Sequence, residues 1–212
     1  MVLTSTPEPL PLTERFLAAV ALADEVHGHD LRSGTEIPYI AHLLVVTGLV
    51  IEDGGDEDEA IAALLHDSVE DGGGRPLLDR IRRTFGARVA SLVENLSDSV
   101  DIDPQESWID RKVRYLERLE GCEDEGVLRI ALADKIHNAR SIVRDYRAEG
   151  HSLWERFTQK TAQQQLWYYN QLVDIFSRKR PGSMAGDLCR SVVELAALVD
   201  ADQEDSGEPF TP

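Results

Sequence analysis

The chain has 212 residues, 42% hydrophobic and 29% charged, a length and composition that fit one globular domain with a substantial core. Its 39 acids against 22 bases leave a net charge of -17. That argues against a general nucleic-acid binder, whose affinity comes largely from neutralising phosphates, but it leaves room for a small anionic ligand held by a few local Arg and Lys residues.

Residues 1–11 are proline-rich and read as a flexible N-terminus. They have no basic region followed by a long apolar stretch, and no segment approaches ~18 uninterrupted apolar residues. Neither a signal peptide nor a membrane span is expected, and the setting reads as cytoplasmic. Thr13 can cap a first helix to about Gly28, with Phe16, Leu17, Val20 and Ala23 as its inner stripe. Pro38 can open a second helix to about Glu52. A third is expected as one continuous run, Glu57 to Asp71, stopped by Gly72-Gly73-Gly74. Shorter helices follow over Leu77–Thr84 and Ala87–Leu96, separated by Phe85-Gly86. Longer ones are expected over Gln105–Leu119 and Asp124–Arg147. Ser152–Ser177 reads as helical with one break, and Met184–Val199 closes the fold. No alternating strand pattern and no internal repeat appear. The expectation is an all-α helical bundle over residues 12–199, with 200–212 as a disordered acidic tail. Cys122 and Cys189 have no metal-type spacing and read as small core side chains.

The most informative segment ends the third helix. Six consecutive apolar residues, Ala60 to Leu65, run into His66-Asp67-Ser68-Val69-Glu70-Asp71. Ionisable groups beside such a buried run are costly to desolvate unless they are paired or bind a metal. At about 100° per residue, His66 and Glu70 share one helix face, and Asp67 and Asp71 share the next. Two further polar residues interrupt apolar faces. His42 lies within Tyr39-Ile40-Ala41-His42-Leu43-Leu44, where it is either a core residue or a ligand. Asp134 lies on the stripe of Ile130 and Ala131, with Asn138 one turn on. Together, His42, His66, Asp67 and Asp134 offer two imidazoles and two carboxylates. That mixed set suits a first-row divalent ion such as Mn, Fe or Zn better than calcium, which prefers oxygen alone.

These residues, in this order, resemble the H…HD…D signature of HD-domain metal-dependent phosphohydrolases. Within that superfamily the chain looks most like the hydrolase domain of RelA/SpoT proteins and the small alarmone hydrolases, including metazoan SpoT homologues. The resemblance covers about residues 13–147. It includes Arg32, Gly34, Pro38 to His42, Leu64 to Asp71, Phe85-Gly86, and Leu132-Ala133-Asp134-Lys135-Ile136-His137-Asn138-Ala139-Arg140. It implies an HD-type helical bundle, a single Mn²⁺ on His42, His66, Asp67 and Asp134, and removal of pyrophosphate from the 3′ position of ppGpp-like nucleotides. Glu70 and Asp71 match the acidic pair that positions the attacking water and the 3′-diphosphate. Arg32 matches a guanidinium that packs on the purine. Asn138 matches a ligand contact, Ser141 stands where the family often has threonine, and Lys135 and Arg140 are candidate phosphate contacts or solvent-facing bases.

The chain departs from the family at His29-Asp30, where members often carry Gly-Gln, and it has no synthetase, TGS or ACT region. Lys160 and Leu166-Trp167-Tyr168-Tyr169 could close the pocket or pack into the core. Two alternatives stand beside the alarmone reading: a broader nucleotide phosphohydrolase acting on ppApp or NADPH, and a catalytically silent nucleotide sensor. A silent sensor would be expected to have lost ligands or the Glu-Asp pair, and this chain keeps all six residues. The expected partner is a small nucleotide; a homo-oligomer is left open.

Overall fold

The computed structural model describes residues 11–97, 106–157 and 161–206; the side chains of Asp71 and of residues 203–206 are not included. Ten α-helices make up the described architecture: α1 (Glu14–His27), α2 (Ile40–Glu52), α3 (Glu57–Leu65), α4 (Ser68–Gly72), α5 (Gly74–Phe85), α6 (Ala87–Leu96), α7 (Trp108–Gly121), α8 (Glu125–Glu149), α9 (Ala162–Lys179) and α10 (Ser183–Ser206). A 3₁₀ segment, Gly150–Arg156, leads on from α8. Among the described residues the only strand-like pairing is an isolated bridge between Leu31 and Pro38. The all-α reading holds.

Local chemistry accounts for the helix starts. The Thr13 side chain accepts from the Arg15 N–H at 3.2 Å. Asp56 and Glu59 form a reciprocal capping box on α3, satisfying N–H groups that the first turn leaves open. Ser107 caps α7, and Asp124 caps α8 by accepting from Gly126 and Val127. Helix α8 runs through the middle of the bundle and touches α2, α3, α6, α9 and α10. Ala60 to Leu65 are all fully buried, so α3 is enclosed on every side, as its apolar run predicts. Glu59 is buried beside it and pairs with Arg129 of α8, which also bonds Asp53 at 3.0 Å.

Four expectations need correction. On α1, Ala19, Leu22, Ala23 and His27 are buried and Phe16 and Val20 pack partly against the core, so of the expected inner stripe only Leu17, 59% exposed, turns outward. Helix α1 packs on α3 and α4, and Ala19 and Ala23 are fully buried on it. The run Glu57–Asp71 is not one helix: His66 and Asp67 form a turn between α3 and α4. The His66 Nδ1–H donates to the Ala63 carbonyl at 2.8 Å, within the turn whose carbonyls would otherwise continue the backbone ladder. Within Ser152–Ser177 the first part is 3₁₀, and α-helix resumes only at Ala162. Finally, α10 continues to Ser206, so the acidic tail starts helical. No described helix is long and apolar enough to cross a membrane.

Candidate metal centre and its cavity

Three elements deliver the four expected ligands. His42 comes from the first turn of α2, His66 and Asp67 from the α3–α4 turn, and Asp134 from the middle of α8. His42, His66 and Asp134 are each less than 9% exposed. His42 Nε2 lies 3.6 Å from Asp67 Oδ2 and 3.3 Å from Asp134 Oδ1. His66 Nε2 lies 3.0 Å from Asp67 Oδ2 and 3.9 Å from Asp134 Oδ1. The ligand atoms of His42, His66 and Asp134 all fall within 4.8 Å of one another.

The fit to a cation is visible in His66. Its Nδ1 is committed to the Ala63 carbonyl, so its Nε2 presents a lone pair. That atom is buried and has no hydrogen-bond partner among the described residues, since the 3.0 Å approach to Asp67 is not aligned as a hydrogen bond. A lone pair facing two carboxylates is repulsive unless a positive charge sits among them. A proton can play that part. Burial pushes the His66 pKa down, but Asp67 and Asp134 more than offset it and hold it well above the ordinary value. Burial would raise both carboxylates, yet His66 holds Asp67 far below its usual range and Lys135 does the same for Asp134. Two imidazoles and two ionised carboxylates around one buried point form a donor set for a first-row divalent ion.

The surrounding groups orient the ligands. The Tyr39 hydroxyl donates to Asp67 Oδ2 at 2.6 Å. Asp134 accepts from Lys135 Nζ at 2.7 Å and from Asn138 Nδ2 at 2.5 Å. Asn138 Oδ1 in turn accepts from Arg32 Nη2 at 2.9 Å, and the Arg32 guanidinium lies 5.9 Å from the Tyr39 ring centroid. The loop carrying Arg32 is held by Arg32 N–H to Ile37 O and Tyr39 N–H to Asp30 O, with Gly34 at φ +70°. A side chain at Gly34 would be strained there and would collide with Arg156.

A cavity of about 380 Å³ opens beside this network. Arg32, Lys135, Asn138 and Ser141, all singled out in the sequence, line it. Arg140 does not: it lies on the outer side of α8 and pairs with Asp187 of α10 at 2.9 Å. Four residues after His66, Glu70 is exposed on α4, and the side chain of Asp71 lies outside the described part of the structure, as does Lys160. The aromatic run divides. Trp167 packs against the core, and Tyr168 and Tyr169 line the cavity.

Several lining residues escaped the sequence reading. Lys112, Arg144 and Arg156 bring positive charge from α7, α8 and the 3₁₀ segment. Gln165, buried on α9, lines the same space. Outside that lining, His137 of α8 reaches His42, with the two Nδ1 atoms 2.6 Å apart. Of these, only His137 carried a sequence signal, its place three residues after Asp134; the others come from segments remote from the motif.

Comparison with known proteins agrees with this geometry. A family model described as HD domain matches residues 19–163. A guanosine-3′,5′-bis(diphosphate) 3′-pyrophosphohydrolase of Xenopus tropicalis is 35% identical over 132 residues, 61% of this chain and 70% of the relative. One of the same description from Aquifex aeolicus is 33% identical over 129 residues, but this chain spans only 18% of it. Among solved structures, a metazoan SpoT orthologue described as hydrolysing ppGpp superposes with a TM-score of 0.62 at 23% identity, covering 92% of this chain and 97% of that one; this is a likeness of fold. A Listeria monocytogenes protein superposes at 0.63 with 26% identity, over 76% of this chain and 99% of its own. The family match spans the same helices that carry the buried centre, and the chain belongs to the HD-domain family.

Proposed function

We propose that the chain is a Mn²⁺-dependent (p)ppGpp 3′-pyrophosphohydrolase. The observation that carries this reading is the buried His66 Nε2, which has no hydrogen-bond partner among the described residues and stands among His42, Asp67 and Asp134 beside a cavity lined with cations. The names of the Xenopus and Aquifex relatives supply the substrate. His42, His66, Asp67 and Asp134 would hold a divalent cation, which would supply water activation and polarisation of a phosphoryl oxygen.

The residues of the chain do the rest. Water adds to the phosphorus attached to the 3′ oxygen, the 3′ O–P bond breaks, and pyrophosphate leaves while the 3′ oxygen takes a proton. Glu70 and Asp71 position the attacking water and the diphosphate, consistent with Glu70 following the His66–Asp67 turn on α4. Lys135, bonded to Asp134 and raised well above its ordinary pKa by that carboxylate against the opposing effect of burial, stays charged and neutralises phosphate. Arg32 stacks on the purine, and its bond to Asn138 holds the guanidinium in place. Ser141 lines the same wall of α8.

Purified protein loaded with Mn²⁺ is to be assayed against ppGpp, pppGpp, ppApp and NADPH, with pyrophosphate and inorganic phosphate measured separately. Pyrophosphate release from ppGpp is expected. Orthophosphate release from NADPH alone would replace this reading with the broader phosphatase, and binding without turnover would make the chain a sensor.

A further inference from the structure

We infer that Asp145 selects guanine over adenine in the cavity beside the metal centre, an inference that rests on the nucleotide reading above. Among the described residues the cavity is lined by five cationic side chains, Arg32, Lys112, Lys135, Arg144 and Arg156, and by one carboxylate, Asp145. A carboxylate disfavours a phosphate beside it, so the end of the wall that carries Asp145 suits a part of the ligand with N–H donors rather than its phosphates. Its place on α8 indicates what those donors are. Asp134, Asn138, Ser141 and Asp145 succeed one another at spacings of four, three and four residues, which puts them on one face of the helix over about three turns. The first holds the metal-binding end and the second holds Arg32. Ser141 and Asp145 continue along the wall away from the metal. A purine stacked on Arg32, with its 3′-diphosphate at Asp134, directs its far edge toward Asp145.

The carboxylate is held in orientation for that encounter. Arg144 Nε donates to Oδ1 at 2.8 Å, and Arg156 Nη1 lies 3.5 Å from Oδ2. An ionised carboxylate has about four acceptor positions, so both oxygens keep lone pairs for a ligand. Guanine presents two adjacent donors, N1–H and the N2 amine, which match the two oxygens. Adenine presents an acceptor at N1, which a carboxylate repels. Sites built around such a hydrogen bond reject analogues that lack the donor far more strongly than apolar pockets do.

The test compares kcat/KM for guanine, hypoxanthine and adenine 3′,5′-bis(diphosphates) in the wild type and in Asp145→Asn, with calorimetric Kd values for GDP, IDP and ADP on the same proteins. The wild type is expected to prefer guanine. Asp145→Asn is expected to lower the guanine-to-adenine ratio by roughly 10- to 150-fold, the scale of a hydrogen bond to a charged group. Deleting the N2 amine should hurt the wild type and much less the variant, a coupling that a merely structural role would not produce. An equal loss for all three bases would overturn the inference and assign Asp145 to holding Arg144 and Arg156; Arg156→Gln is the reference for that pattern. An unchanged ratio overturns it as well. Guanine-selective binding that Asp145→Asn abolishes, without any hydrolysis, would sustain the inference and overturn the hydrolase reading alone.

Discussion

The Nδ1 atoms of His42 and His137 stand 2.6 Å apart, so one ring must donate and the other accept. Burial above all, with the nearby Arg32 guanidinium acting in the same direction, pushes the His137 pKa down to about 4. His137 is therefore neutral at physiological pH and able to accept. His42 then carries its proton on Nδ1, and its Nε2 lone pair faces Asp67 and Asp134. The second nitrogen of a metal-binding imidazole is commonly fixed in this way.

His137→Phe removes the acceptor while keeping a ring of similar size. Metal affinity is expected to fall about 10- to 100-fold, the usual effect of removing such a supporting group. Titration of metal-free protein with Mn²⁺ measures it; unaltered affinity would show that His42 is oriented by packing alone.

His66→Ala and Asp67→Ala should each lose stoichiometric metal and all hydrolysis, and elemental analysis of the purified variants checks this directly. Metal retained at full occupancy in both would show that the ion, if bound, sits elsewhere. Because the ligands come from α2, the α3–α4 turn and α8, metal binding should also raise Tm by linkage to the folded state.

In the metal-free protein the pH dependence follows from His66. Its pKa is raised on folding by Asp67 and Asp134 in spite of burial. The stability it contributes is therefore complete below the ordinary histidine value near 6.5 and is lost as pH rises through the higher folded value. Asp67 and Asp134, both lowered, act in the opposite sense: their contribution is present above the ordinary carboxylate range and lost on acidification. Chelated protein should thus lose Tm on moving from neutral to alkaline pH, and saturating metal should suppress that loss by replacing the proton. Thermal melts over a pH series, with and without chelator, would refute the scheme if the two curves ran parallel.

Glu70→Gln should keep its metal and lose about 10²–10⁴-fold in kcat, the typical cost of removing a positioned acid or base. A variant that loses metal together with activity would make Glu70 a ligand.

Arg32→Ala should raise KM by roughly 5- to 150-fold, the equivalent of ~1–3 kcal/mol of base stacking. Guanine and adenine nucleotides should be affected alike, in contrast to Asp145→Asn, because stacking does not read the edge of the base. Metal content should hold. Wild-type KM for every nucleotide would leave Arg32 with only its bond to Asn138.

Much of this protein was legible in order along the chain. An apolar run that ends in His66-Asp67, a histidine and an aspartate interrupting apolar stripes, and caps such as Thr13, Asp56 and Asp124 are local signals, because helix periodicity and desolvation cost act over one or two turns. They were enough for the all-α class, most helix ranges, the family resemblance and the four candidate ligands. Other features required the folded chain. The His66–Asp67 turn depends on a side chain bonding the Ala63 carbonyl, which interrupts a helix that periodicity alone would continue. Which residues of α1 are buried depends on its packing against α3 and α4, which leaves Leu17 outside. Arg140 and Arg144 lie one turn apart on α8, yet only packing against α10 decided that the first pairs with Asp187 while the second lines the cavity. The meeting of Lys112, Asp145, Arg156 and Gln165 around one space is wholly tertiary, since residues from four elements share no spacing and only their packing makes them neighbours.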